Sequence, residues 1–176
     1  MKNVLLPTDL TVQSLRPVHN IVEGANGEPV TVFIVHLICP PTSITELLFI
    51  NQSKPLDKVP VNFKEALQLL RNKYQGVISI VFDFVYCNTS RYFDNFIEGK
   101  KINEVYMLAN YKYKQTLSQS ENLVRYINKC KVQLHKLSLN EEATSEYLNL
   151  SSLLNGNEQN KAQELNRSGK KVISYS

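Results

Sequence analysis

Cysteine is scarce in this chain, with three in 176 residues. Cys39, Cys87 and Cys130 lie far apart and form no CxxC pair, which argues against a disulfide framework or a structural zinc site. His19, His36 and His135 are equally scattered and suggest no metal centre. No apolar run reaches the roughly 18 residues a membrane helix needs. The basic-then-apolar opening Met1–Pro7 is far too short for a signal peptide. There is no dense Lys/Arg block. The net charge of +4 and pI near 8.9 are too mild to argue for nucleic acid. Glycine is missing altogether from residue 100 to residue 155. Together these absences predict a cytoplasmic protein in a reducing compartment, with no membrane or nucleic-acid partner.

What is present is ordinary for a globular protein: 43% hydrophobic and 20% charged residues. A chain of this length buries about 70% of its unfolded surface and needs no covalent staple. Short, continuous apolar runs dominate the pattern: Val4–Leu6, Val30–Ile38, Val77–Tyr86 and Glu104–Ala109. Continuity, rather than alternation, marks strands covered on both faces, as in parallel sheets. Lys131–Leu139 mixes apolar and polar residues and reads as a fifth strand at an edge or at a subunit interface.

Helical periods separate these runs. Leu15, Val18 and Val22 mark a first helix, with Ser14 as N-cap and Pro17 in its first turn. Phe63, Ala66, Leu67 and Leu70 mark a second. Tyr92, Phe93, Phe96 and Ile97 mark a third, and Leu123, Val124 and Ile127 a fourth. The alternation predicts an α/β fold: a three-layer sandwich around a five-stranded parallel sheet with right-handed crossovers. The predicted core is Leu5, Val32, Ile34, Ile80, Phe82, Val105 and Met107, covered by Leu67, Leu70, Phe96 and Ile127. A capping-box pattern at Ser43 and Glu46 predicts a short helix over Leu47–Ile50 inside the connection 39–60. The tail from Asn140 is predicted to be partly helical, near Glu141–Asn155. The division expected is an α/β domain over 1–139 and an extension over 140–176.

The opening Val4-Leu5-Leu6-Pro7-Thr8-Asp9-Leu10-Thr11 resembles that of the universal stress protein family, where a short strand ends in Pro-x-Asp. Val32–Leu37 resembles the family's second strand, with its polar residue near the end. The resemblance covers about residues 1–139. It implies an adenine nucleotide alpha hydrolase-like sheet with its site at the carboxyl ends of the strands. Carried over, Pro7, Thr8 and Asp9 would face a nucleoside and Val35 would lie near the base. The family's phosphate loop, Gly-x2-Gly-x9-Gly-Ser/Thr, would fall on 108–120. Here Ala109 and Lys112 stand at the first two glycine positions, and Ser118 and Ser120 lie in its later part. Backbone amides cradle phosphates where glycine clears the way, so its loss argues against ATP. The crevice is expected either to be blocked by Tyr111 or Tyr113 or to accept at most an adenosine-sized ligand.

Each residue also has a plainer reading. Asp9 is a nucleotide contact or a turn carboxylate. Asp83 is a buried site residue or an edge residue. His36 reads as a hydrogen-bonded structural histidine, because no motif sets a serine or cysteine beside it. Lys112 and Lys114 restore phosphate charge or are simply solvated. Ser118 and Ser120 bind an anion or cap the fourth helix. No HIGH-like motif, Walker loop or GxGxxG is present, so catalysis is not expected. The expectation is a non-catalytic regulatory or stress-response protein without a cofactor. The alternative is a nucleotide-binding universal stress protein (adenosine, AMP or ATP) with an altered phosphate loop, which would hold the nucleotide weakly. The resemblance further implies a homodimer paired partly through the fifth strand, with room for a further protein partner.

Overall fold

The computed structural model describes residues 1–41, 43, 45 and 54–138. Five strands form one sheet: β1 Lys2–Pro7, β2 Val30–Ile38, β3 Ile78–Tyr86, β4 Glu104–Leu108 and β5 Gln133–Leu137. All pairings are parallel, in the spatial order β3-β2-β1-β4-β5. The helices are α1 Pro17–Gly24, α2 Lys54–Asp57, α3 Val61–Lys73, α4 Ser90–Gly99 and α5 Val124–Ile127. The predicted α/β alternation is therefore present, and the continuous apolar runs are its strands.

Two apolar clusters flank the sheet. Val4, Leu6, Val32 and Ile34 meet Val18 and Ile21 of α1 and the Phe63, Ala66, Leu67 and Leu70 stripe of α3. Leu5, Val35, Leu37, Val105 and Met107 meet Phe93 and Ile97 of α4 and Tyr126 and Ile127 of α5. Alternate residues of a strand serve opposite faces, which is why β1 from Val4 onward and nearly all of β2 are apolar. The chain leaves β1 toward β2 on one side of the sheet and resumes on the other side at β4. That reversal puts a crevice beyond the carboxyl ends of β1 and β4, the usual ligand position in open α/β sheets.

Several sequence expectations need correction. Ser14 does not cap α1. It sits inside a 3-10 turn, Val12–Leu15, capped by Thr11, and Pro17 then opens α1 at the position where a missing N–H costs nothing. Ile21 rather than Val22 fills the buried face of α1. Ile80 and Phe82 are half-buried because β3 lies at an edge of the sheet, and Phe96 lies at the margin of its cluster. The fourth helix is a single turn that carries no side-chain cap at Leu123. The helices expected over Leu47–Ile50 and Glu141–Asn155 lie outside the described residues.

Candidate functional site at the strand ends

The crevice begins where β1 stops. The Thr8 N–H donates to the Val35 carbonyl at 2.9 Å, extending the ladder by one residue. The Thr8 hydroxyl then pairs with Ser14 Oγ at 2.6 Å and accepts the Leu10 N–H at 3.0 Å. Leu10 is forced to φ 65°, although it is a bulky residue and its side chain is buried in the core. Left-handed backbone at such a residue stores strain that the surrounding contacts must hold. The turn aims the Asp9 carboxylate back over the sheet.

Four donors reach that carboxylate. Oδ1 accepts the Thr11 N–H at 3.2 Å and the Thr11 hydroxyl at 2.6 Å. Oδ2 accepts the Tyr111 hydroxyl at 2.7 Å and the Lys114 N–H at 2.9 Å. The Thr116 hydroxyl donates to the Asp9 carbonyl. Asp9 is 2% exposed. Burial works against its charge, but the donors from Lys114, Thr11 and Tyr111 outweigh burial and hold its pKa below the ordinary value. Burial first, and then the neighbouring Asp9 charge, push the Tyr111 hydroxyl up to about 12, so it stays a donor at neutral pH.

His36, at the end of β2, carries the second anchor. Its Nδ1 lies 2.8 Å from the Thr8 carbonyl, which only accepts, so Nδ1 bears the proton. In the neutral ring Nε2 is then an acceptor, and the Ser120 hydroxyl donates to it at 2.8 Å. The Leu117 N–H in turn donates to Ser120 Oγ at 2.9 Å. Burial depresses the His36 pKa, outweighing the Thr8 carbonyl and the Asp9 charge that act in the opposite direction. No motif sets a serine beside His36; a segment running antiparallel to the end of β2 brings Ser120 there. Ile38 bridges Ser120, the Glu121 N–H donates to the Leu37 carbonyl, and the Cys39 N–H donates to the Gln119 carbonyl.

These contacts leave a cavity of about 330 Å³, walled among others by Thr8, Asp9, His36, Tyr113, Lys114 and Ser120. Of the residues weighed for a role in the sequence, Thr8, Asp9, His36, Tyr113, Lys114 and Ser120 lie on its wall. Pro7 and Val35 are buried and paired within the sheet. Ala109 directly follows β4, with its N–H on the Leu137 carbonyl. Lys112 and Ser118 are exposed and off the wall, and neither Ser118 nor Ser120 caps α5, since the Asn122 side chain accepts the Val124 N–H. Asp83 is an edge residue paired with Lys100 at 3.6 Å. Gln115, Glu121 and Asn122 join the wall without a motif to announce them.

Among solved structures, hypothetical protein MJ0577 superposes with a TM-score of 0.52 at 13% identity, over 79% of this chain and 96% of its own. That likeness shows the fold, an α/β fold around a five-stranded parallel sheet. Universal stress protein UspA from Lactobacillus plantarum aligns with a TM-score of 0.49 at 12% identity, over 77% of this chain and 97% of its own. A universal stress protein in complex with cAMP aligns with a TM-score of 0.46 at 13% identity, over 77% and 96% of the respective chains. Neither a family model nor a curated protein sequence matches the chain. At these identities what is shared with the universal-stress-protein-like structures is the path of the backbone. No helix among the described residues is long and apolar enough to cross a membrane.

Proposed function

We propose that this chain is a non-catalytic, universal-stress-protein-like regulatory protein of the cytoplasm whose crevice takes no ATP. The observation that carries this reading is the saturation of Asp9. All four hydrogen bonds to its carboxylate come from the chain's own Thr11, Tyr111 and Lys114. A nucleoside would have to displace donors that a buried carboxylate holds at charge-assisted strength, worth about 1.5–3 kcal/mol each. The loop 109–120 supports the reading too. It has no glycine, and a triphosphate needs clustered amides approached closely. The His36–Ser120 pair reads as a brace. Ser120 Oγ is held by the Leu117 N–H as well as by the ring, which ties the loop to β2.

Calorimetric titration with Mg-ATP tests the proposal. No binding is expected at high micromolar nucleotide, and a low-micromolar dissociation constant lost on Asp9→Ala would overturn it. A second reading, an adenosine-sized ligand, is favoured by the remaining 330 Å³ cavity and its polar wall. Adenosine and AMP belong in the same titration. A homodimer through β5 is part of the proposal. β5 is an edge strand whose Leu134, His135 and Leu137 are only half-buried, and open edges tend to be covered. Sedimentation that finds only monomer at high micromolar protein would remove it.

A further inference from the structure

Cys39 and Cys87 are separated in sequence but meet at the carboxyl ends of neighbouring strands. β2 and β3 are in register to their last pair, Ile38↔Tyr86. The next residues are Cys39 and Cys87, and the ladder continues through the Cys87 N–H, which donates to the Ile38 carbonyl at 3.1 Å. Adjacent strands lie about 4.8 Å apart, inside the Cα separation of roughly 4.4–6.8 Å that a disulfide spans. By alternation both residues continue the side of the sheet that carries Leu37 and Val85. Arg125, on α5 over that same side, lies within electrostatic reach of both sulfur atoms, which also sense each other. Both thiols are free; Cys39 is half-buried and Cys87 buried.

We propose that Cys39 and Cys87 form a reversible dithiol–disulfide pair oxidised by peroxides. The more exposed Cys39 thiolate attacks one peroxide oxygen; the O–O bond breaks, an S–O bond forms, and the departing hydroxide takes up a proton as water. Cys87 then attacks the Cys39 sulfur, losing its own proton. The S–O bond breaks, the S–S bond forms, and a second water leaves. Peroxide is the two-electron oxidant, and an external dithiol reverses the step. Cys87 is placed for the second attack by strand register. Its thiol donates to the Thr89 carbonyl at 3.0 Å at the N-terminal end of α4. Burial raises its pKa, with the nearby Phe93 N–H and Arg125 acting in the opposite direction, so it enters the step as a thiol that loses its proton on attack. The bond would staple the ends of β2 and β3 beside the segment 119–121, whose backbone pairs with Leu37–Cys39 at the crevice wall.

The test is hydrogen peroxide titration of the full chain, alkylation of remaining thiols, and intact and peptide mass analysis. The expected product has lost two hydrogens, carries a Cys39–Cys87 cross-linked peptide, and has Cys130 alkylated. Cys39→Ser abolishes the cross-link and Cys130→Ser leaves it intact. Should Cys87→Ser fail to fold, the Cys39 variant at its half-buried position still decides. Sulfinic acid on Cys39 with Cys87 alkylated, a bond to Cys130, or a cross-link only between chains would each overturn the proposal.

Discussion

Two loops meet over the same crevice and are held in different ways. The loop leaving β1 is buried and largely satisfies itself: Thr8 with Ser14, Asp9 with Thr11, and Thr11 with the Ser14 N–H. The loop leaving β4 is longer and more exposed, and its order is borrowed. Tyr111, Lys114 and Thr116 fasten to Asp9, and Ser120 fastens to His36. One short segment is thus the template on which the other is set. A loop without glycine can still be positioned over a sheet end, but side-chain anchors then occupy the space and the hydrogen bonds a phosphate would use.

The sharpest way to break this comparison is at the template. Leu10→Ala removes a fully buried side chain and should cost about 2–5 kcal/mol. Because Leu10 has φ 65°, Leu10→Gly should cost less than Leu10→Ala, by about 1 kcal/mol, despite losing one more carbon. Urea midpoints in the opposite order would mean the turn is not strained. Asp9→Ala comes next, at about 2–3 kcal/mol, since it strips a buried charge that accepts four bonds. It should release the second loop while leaving the sheet intact, so trypsin should cut after Lys112 or Lys114 faster than in the parent chain. Unchanged cleavage would show that the second loop holds itself.

Acid separates the two anchors. His36 has a folded pKa below the ordinary 6.5, so the unfolded chain takes its proton first. Stability should therefore fall as pH drops below about 6.5, with a slope of up to about 1.4 kcal/mol per pH unit. Asp9 has a folded pKa below its ordinary 3.8, so its contribution is full above that value and is lost as pH falls further. His36→Gln should flatten the first limb and spare the second; a profile unchanged by that variant would remove His36 from the account. The smallest expected effect is that of Tyr111→Phe, about 1 kcal/mol, because Lys114 and Thr11 still satisfy Asp9. A loss equal to that of Asp9→Ala would make the tyrosine the main fastener.

The sheet was legible because β1 and β2 are apolar on both faces, and only a strand covered on both sides has that pattern. β3 was legible as a strand, and Asp83 inside its run of Ile, Val and Phe was the one sign of an edge position. Ser118 and Ser120 were open to two readings, an anion site or helix caps; neither caps α5, and Ser120 braces His36 instead. Side-chain donors such as serine serve caps and loop braces equally well, and only the partner distinguishes them.

Sequence alone determined the strand–helix alternation, the apolar stripes and the absence of a glycine phosphate loop. These follow from periodicity, burial and backbone sterics, which act over a few neighbouring residues. Only the tertiary structure decided that Tyr111 and Lys114 close on Asp9, that Ser120 meets His36, and that Cys39 adjoins Cys87. Those pairs come from separate segments, and hydrogen bonds and thiol contacts act over a few ångströms. No local pattern can specify which distant residues the sheet order brings within that reach.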